Sequence, residues 1–324
     1  MSKYWTATIL LAFAHAGFST AALAQAYPAK PVRIVVGFSA GSTTDLIGRV
    51  MATKMGEGLG QPAVMENRPG AGANIAAELV AKAPADGYTV LLANAGIATG
   101  ATAYVKLNFN AMRDFAPVTQ VSATPHILVT HPSLPPKTVK ELIAFTRARP
   151  GDLNYASTGH GNSDHLAAEL FSYMTGGLKM VHVTYKGGPF AITDLLTGGV
   201  AMYFAGVPVA LPFVKSGRIR ALGVTGTKRM PVLPDVPTVS EAGVPGYEHI
   251  LWAMLMVPAA TPKDVIARLN REAVKALEAA DVRERYAGMG VDPAPSTQER
   301  AAAYLKSETD KYAKVVKAIG LRIE

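Results

Sequence analysis

Hydroxyl side chains and glycines concentrate in two short segments of this chain, each placed between a strand-like run and a helix-like run. The first segment, residues 37–45, carries Ser42, Thr43 and Thr44 directly before a predicted helix. Glycine lets the backbone approach a ligand closely, and the free amides at a helix start carry partial positive charge. This pattern predicts a site for an anion, and a capped helix after a tight turn is the alternative interpretation. Asp45 is predicted to cap or brace the loop, because a bare carboxylate would repel an anion.

The second segment, residues 157–165, repeats the arrangement before a helix predicted to reach Met174. The pattern G-x-S-x-G is absent from it, which argues against a serine hydrolase. His160 and His165 are five residues apart and do not share a helix face. Since no third ligand stands nearby in the sequence, no metal site is predicted.

A third glycine-bearing turn ends another predicted strand at residues 185–189, ahead of a helix that carries Asp194. Gly70 and Gly72 match part of a dinucleotide fingerprint, but its third glycine is missing. Three such turns, with no nucleophile–base pair and no metal cluster in the sequence, indicate binding without turnover. Asn94 lies at the carboxyl end of a predicted strand, where open sheets bind ligands, so it is a secondary candidate for ligand contact. Asp194 is the other secondary candidate.

Strand-like and helix-like segments alternate along the chain and determine how these loops are positioned. β-Branched residues predict a strand at 32–36, and apolar residues on one stripe predict a helix at 46–59. The same patterns predict four more elements, namely strands at 62–66, 89–93 and 127–130 and a helix at 74–83. Capping boxes mark three further starts, Thr138 with Glu141, Thr238 with Glu241 and Ser296 with Glu299. This alternation predicts an α/β architecture with mainly parallel sheets.

The composition describes a well-packed globular protein with a basic surface. Of 324 residues, 49% are hydrophobic and 17% charged, and the formal net charge is +8. No tract of five or more basic residues occurs, so nucleic-acid binding is not predicted, whereas a positive field suits small anions. The chain has no cysteine, which excludes disulfides and a lipid anchor at a cleavage site.

Residues 1–26 have the order of a secretory signal peptide. A short positive start is followed by an apolar stretch to Leu23 and by small residues that allow cleavage after Ala24 or Ala26. A membrane anchor is the weaker alternative, because the apolar run is short and interrupted by His15. The sequence therefore predicts export to the periplasm as a released protein.

Nine ordered motifs resemble the Bug or TctC family of periplasmic solute receptors, the extracytoplasmic component of tripartite tricarboxylate transporters. They are YPAKPVRIVV at 27–36, GFSAGSTTD at 37–45, ENRPGAG at 66–72, PADGYT at 84–89, DFAPV at 114–118, STGHGNSDHL at 157–166, YKG at 185–187, LPDVPT at 233–238 and EAGVPGY at 241–247. The resemblance covers essentially the whole chain after the predicted cleavage point.

The resemblance implies a type II periplasmic-binding-protein fold, with two α/β lobes and a ligand cleft between them. Lobe 1 would comprise residues 27–126 and 249–324, and lobe 2 residues 127–248. The implied function is capture of a small organic carboxylate, either a di- or tricarboxylate or an aromatic acid, for the membrane subunits of a tripartite tricarboxylate transporter. It also implies no enzyme activity. The chain is expected to be a monomer without a cofactor or a metal. A receptor that feeds a membrane sensor, and an exported hydrolase or lyase on the same fold, are the alternatives.

The family's three ligand loops correspond here to Phe38 to Asp45, Ser157 to His165, and the turn around Tyr185 to Gly188. The hydroxyls before the first helix would hold one carboxylate, and the second loop would meet it or a second acidic group from the other lobe. Where the family usually has two glycines, this chain has Gly41 and Ser42, and the added side chain could narrow the pocket or donate a hydrogen bond. The predicted ligand-binding residues are Phe38, Ser42, Thr43, Thr44, Asp45, Asn94, Ser157, Thr158, Gly161, Asn162, Ser163, Tyr185 and Asp194.

Overall fold

The computed structural model describes residues 27–323, so the predicted signal peptide lies outside the described residues. The strands are β1 (Val32–Val36), β2 (Ala63–Asn67), β3 (Thr89–Asn94), β4 (Phe115–Thr130), β5 (Asn154–Ser157), β6 (Val181–Thr184), β7 (Met202–Gly206), β8 (Arg220–Val224) and β9 (Ile250–Pro258). The helices are α1 (Thr43–Leu59), α2 (Asn74–Ala81), α3 (Gly96–Ala103), α4 (Val139–Ala148), α5 (Ser163–Met174), α6 (Gly188–Thr197), α7 (Val207–Lys215), α8 (Lys263–Glu278), α9 (Ala280–Gly288) and α10 (Gln298–Ile319).

One mixed sheet runs through the molecule in the order β2-β1-β3-β9-β4-β7-β5-β6, and β8 also pairs with β4. Strand β4 changes partners along its length. Residues 115–125 pair with β9, and residues 126–130 pair with β7 and β8. We call β1, β2, β3, β9 and the start of β4 the first half-sheet, and the end of β4 with β5 to β8 the second half-sheet.

Successive side chains of a strand point to opposite faces of the sheet. Each half-sheet therefore carries an apolar layer on both of its faces. In β9, Ala253, Leu255 and Val257 face the helices α1 and α8, whereas Trp252 and Met254 face α3 and α10. The second half-sheet is covered in the same way by α6 and α7 on one face and by α4 and α5 on the other. Both half-sheets are therefore α/β sandwiches with their own cores.

The predicted elements at 32–36, 62–66, 74–83 and 89–93 are confirmed to within two residues. Three predictions were wrong. The capping box of Thr238 and Glu241 forms, with the Glu241 amide donating to Thr238 Oγ1 at 3.0 Å, but turns and no helix follow it. The strand predicted at 127–130 begins twelve residues earlier, at Phe115 (127 − 115 = 12). Helix α10 is capped by Thr297, which accepts a hydrogen bond from the Arg300 amide at 3.3 Å, whereas Ser296 bonds the β4 backbone at Gln120. The sheets are parallel only within β1 to β3 and within β5 to β7, since β4 and β9 run antiparallel to their neighbours.

Candidate functional site

The first loop follows β1 and ends at the N-terminus of α1. Gly41 has φ +77°, a left-handed conformation that favours glycine, and it lets the chain turn into the helix. Ser42 is the N-cap, and its Oγ accepts a hydrogen bond from the Asp45 amide at 3.4 Å. Helix α1 therefore begins at Thr43, three residues before the predicted start. Thr43 and Thr44 are buried in its first turn.

Asp45 braces this loop. Its Oδ2 accepts hydrogen bonds from the Gly41 amide at 2.8 Å and from Arg49 Nε at 2.9 Å, and its Oδ1 accepts one from Asn67 Nδ2 at 2.9 Å. Burial alone would raise the pKa of the Asp45 carboxyl, but the hydrogen bonds from Arg49, Asn67 and Gly41 hold that pKa below its ordinary value. Asn67 Nδ2 also donates to the Phe38 carbonyl at 2.9 Å, so one network fixes both ends of the loop.

Replacing Asp45 by alanine should lower the free energy of unfolding by about 1–3 kcal/mol, because three donors would lose their acceptor. Urea denaturation of the ligand-free protein measures this. Glu57→Ala is the matched control, since Glu57 is an exposed acidic residue of the same helix that forms an ion pair with Lys54. Equal stability of Asp45→Ala and Glu57→Ala would contradict the bracing role.

The second loop connects β5 to α5 and is braced by another buried aspartate. Asp164 Oδ2 accepts hydrogen bonds from the Thr158 amide at 2.8 Å and from Tyr203 Oη at 3.0 Å. Burial raises the pKa of the Asp164 carboxyl to about 6, although these donors act in the opposite direction. Asn162 is the N-cap residue of α5, and its Nδ2 donates to the Thr158 carbonyl at 3.1 Å.

Ser157 Oγ lies 2.6 Å from His182 Nε2, a contact between distant residues that the sequence did not reveal. The serine is fully buried, and its hydroxyl also contacts Gly159. This contact therefore supports the loop and does not favour the hydrolase alternative.

His182 also brings a third imidazole to His160 and His165, so that one nitrogen of each ring lies within 4.8 Å of the others. The rings of His165 and His182 are stacked, with centroids 4.1 Å apart and planes 15° apart. Because metal-binding lone pairs lie in the ring planes, two stacked rings do not direct them at one ion. His165 Nδ1 already accepts a hydrogen bond from the Gly161 amide at 3.0 Å. This arrangement suits packing better than coordination.

The first and second loops meet across one small cavity between the half-sheets. The space open to the centre of a water molecule is about 20 Å³, which is room for about one water. Seven predicted residues line it, namely Phe38, Ser42, Thr43, Thr44, Asn94, Thr158 and Ser163. The lining residues that sequence reasoning missed are His126, Asp164, Gly188, Tyr203, Gly206 and Leu251. The other predicted residues, Asp45, Ser157, Gly161, Asn162, Tyr185 and Asp194, do not line it.

The predicted residues outside the cavity have structural partners. Tyr185 Oη donates a hydrogen bond to Asp194 Oδ2, and burial with this neighbour raises the pKa of Tyr185 to about 12. The Gly161 carbonyl accepts a hydrogen bond from Thr99 Oγ1 at 2.7 Å. A ligand-binding role for all thirteen predicted residues stays a prediction.

Two side chains of the cavity wall are buried and lack a hydrogen-bond partner among residues 27–323. They are the Ser163 hydroxyl and the His126 imidazole, both of whose nitrogens are unpaired. A buried polar group without a partner costs about 1–3 kcal/mol, and native proteins generally provide one. These two groups are therefore free to bind a polar molecule in the cavity.

Direct contacts hold the half-sheets together around the cavity. The Ser39 amide donates to the Lys186 carbonyl at 3.3 Å, and Tyr104 Oη donates to the His160 carbonyl at 2.9 Å. Gly206 lies against Thr43 so closely that an added Cβ would be 2.1 Å from Thr43 Oγ1. The two half-sheets are therefore in direct contact around the polar lining of the cavity.

The fold is that of a periplasmic binding protein. The chain is similar to the solved structure of the periplasmic binding protein BugD, with 31% identity and a TM-score of 0.88 over 92% of this chain and 100% of BugD. It is similar to Rpa4515 of R. palustris solved with adipate, at 35% identity and TM-score 0.88 over 91% of this chain and 99% of that one. It is also similar to MatC of Rhodopseudomonas palustris with bound malate, at 31% identity and TM-score 0.85 over 90% and 100% of the two chains.

The chain belongs to the tripartite tricarboxylate transporter family of receptors, whose family model matches residues 47–321. The resemblance read from the motifs and the predicted fold class are thus confirmed. Family members and the structural neighbours are solute-binding receptors and not enzymes. Among residues 27–323, no helix has the length and apolar character needed to cross a bilayer.

Proposed function

We propose that this protein captures an aliphatic dicarboxylate or hydroxy acid in the periplasm and delivers it to the membrane subunits of a tripartite tricarboxylate transporter. The observation that carries the proposal is the cavity itself, in which the N-terminal turns of α1 and α5 and their hydroxyls meet. Helix N-termini and hydroxyls bind carboxylates without needing a lysine or arginine. The adipate and malate bound by the two neighbours support this ligand class.

Capture would proceed by closure of two lobes around the ligand. The chain passes between the half-sheets within β4, at residues 125–126, and again in the segment between β8 and β9. A space of about 20 Å³ does not admit a dicarboxylate, so entry requires the cleft to open. We assign residues 27–126 and 249–324 to lobe 1 and residues 127–248 to lobe 2, with hinges within β4 and just before β9.

A thermal-shift screen over aliphatic and aromatic carboxylates tests this function. A ligand present at about 100 times its dissociation constant should stabilise the protein by about 2.7 kcal/mol. Aliphatic dicarboxylates should raise the melting temperature, and aromatic acids of similar size should not. A screen in which no carboxylate stabilises the protein would refute the proposal.

Ser163→Ala should weaken binding of the best ligand about ten- to hundredfold, because it removes a donor to a charged group. Calorimetry measures the affinity. Ser122→Ala is the matched control, since Ser122 is also buried with an unpaired hydroxyl but does not line the cavity. An unchanged affinity for Ser163→Ala, or an equal loss for Ser122→Ala, would show that the hydroxyl does not bind the ligand.

A further inference from the structure

His126 occupies a position in the fold that suits contact with a bound ligand. It lies on β4 at the residue where the strand leaves β9 and begins to pair with β7. Its backbone is held by a hydrogen bond from its amide to Thr225 Oγ1 at 2.7 Å. Its side chain is 0% exposed and lines the cavity between the half-sheets. The imidazole is therefore fixed in the wall of the cleft by the strand that joins the two half-sheets.

Neither nitrogen of His126 is satisfied within residues 27–323. The neighbouring imidazole of His249 is tilted by 52° at a centroid distance of 5.3 Å, and it makes its own contact with Tyr312 Oη at 3.4 Å. Buried side-chain polar groups in native structures nearly always have a partner from protein or water. The imidazole lines the cavity, so a group in the cavity can supply its partner.

A neutral imidazole suits this position. Burial lowers the pKa of His126 to about 3, so at neutral pH the ring offers one N–H donor and one acceptor without a charge. The neutral N–H can donate to a carboxylate or a hydroxyl of a molecule in the cavity.

We propose that His126 donates a hydrogen bond to the second polar group of the ligand, and so selects dicarboxylates and hydroxy acids over monocarboxylates of the same chain length. The inference rests on the proposed function, in which the first carboxylate is held by the loops before α1 and α5. His126 lies on a strand and not on either loop, so its side chain would contact a part of the ligand that the loops do not hold.

The test compares His126→Leu with the unmodified protein by calorimetry, using adipate against hexanoate and succinate against butanoate. The leucine keeps a similar volume but removes both nitrogens. Dicarboxylate affinity should fall about ten- to hundredfold while monocarboxylate affinity stays the same or rises, so the ratio between the two collapses. This ratio is measured within one variant, and a loss of folded protein does not change it. His126→Asn, which keeps a donor, should recover part of the preference.

His249→Leu is the matched control, because His249 is a similarly buried histidine with an unpaired Nδ1 that does not line the cavity. It should leave the ratio unchanged. A His126→Leu ratio equal to that of the unmodified protein, with dicarboxylates still bound, would overturn this inference alone. Binding of no mono- or dicarboxylate by the unmodified protein would overturn the proposed function with it. A change in the ¹⁵N shifts of the His126 ring on adding adipate would support direct contact, and unchanged shifts at saturation would refute it.

Discussion

Gly206→Ala should hold the cleft open and weaken ligand binding about ten- to hundredfold. The added Cβ would lie 2.1 Å from Thr43 Oγ1 and 2.8 Å from Thr43 Cβ, which belong to the opposite half-sheet. Gly206 has φ −65° and ψ 136°, which alanine adopts without strain, so the substitution acts through the contact with Thr43 at the cavity wall. Overpacking of this kind costs about 1–3 kcal/mol, and here it would destabilise the closed form relative to the open form.

Small-angle scattering and calorimetry together measure the outcome. The unmodified protein should contract on adding a saturating dicarboxylate, whereas Gly206→Ala should keep a larger radius of gyration. Gly288→Ala is the control, since a Cβ at that helical glycine meets no atom within 4 Å. Full contraction and unchanged affinity in Gly206→Ala would mean that this contact does not limit closure.

Acid should destabilise the ligand-free protein strongly, because several buried histidines are held neutral. Histidine takes up a proton near pH 6.5 in the unfolded chain, but burial lowers the pKa of His126 to about 3. The unfolded state therefore binds more protons between these values, and stability is lost as the pH falls below 6.5. His126 alone accounts for about 2 kcal/mol between pH 7 and pH 5.

Other buried groups act on the same acid range. Burial, with the neighbouring His182 and His160, lowers the pKa of His165 to about 2, and burial lowers that of His249 well below its ordinary value. Asp164 has the opposite effect on stability in acid. Its pKa is raised to about 6 by burial, so the folded state takes up that proton first and gains stability as the pH falls through 6. The histidines outnumber this carboxyl, so the net effect is destabilising.

Urea denaturation at pH 7 and pH 5 checks this expectation. His126→Asn should reduce the difference between the two pH values by about 2 kcal/mol, because it removes one titrating group. Ser122→Ala, which removes a buried polar group that does not titrate, should change the stability at both pH values equally. A free energy of unfolding that is the same at pH 7 and pH 5 would contradict the assignment of neutral buried histidines.

The local elements and the loops of the site could be predicted from the sequence because their signals are local. Hydroxyls and glycines before a helix mark the segments 37–45 and 157–165, and both segments contribute residues to the cavity wall. Strand β4 could be predicted only in part, because Pro117 and Pro125 interrupt its pattern and its pairing with β9 contains two register shifts. The length of β4 depends on its pairing with β9, which lies far away in the chain.

The residues that sequence reasoning missed depend on strand pairing. His182 meets Ser157 because β5 and β6 are aligned with Tyr155 opposite His182. His126 looks like the first residue of an ordinary apolar strand, and only its pairing with Gly206 puts it into the cavity wall. Neither relation has a signal in the local sequence.

The late position of β9 in the chain governs the order in which the protein is completed. Its residue Met256 pairs with Leu91, and its Ala253 pairs with Ser122. A nascent chain is made from its N-terminus, so β3 and most of β4 must wait with unpaired edges until β9 has been made. Residues 126–224 contain every strand of the second half-sheet and can assemble earlier. The first half-sheet is therefore the first to be synthesised and the last to be fully paired. Because its strands pair over long sequence separations, its completion is slow.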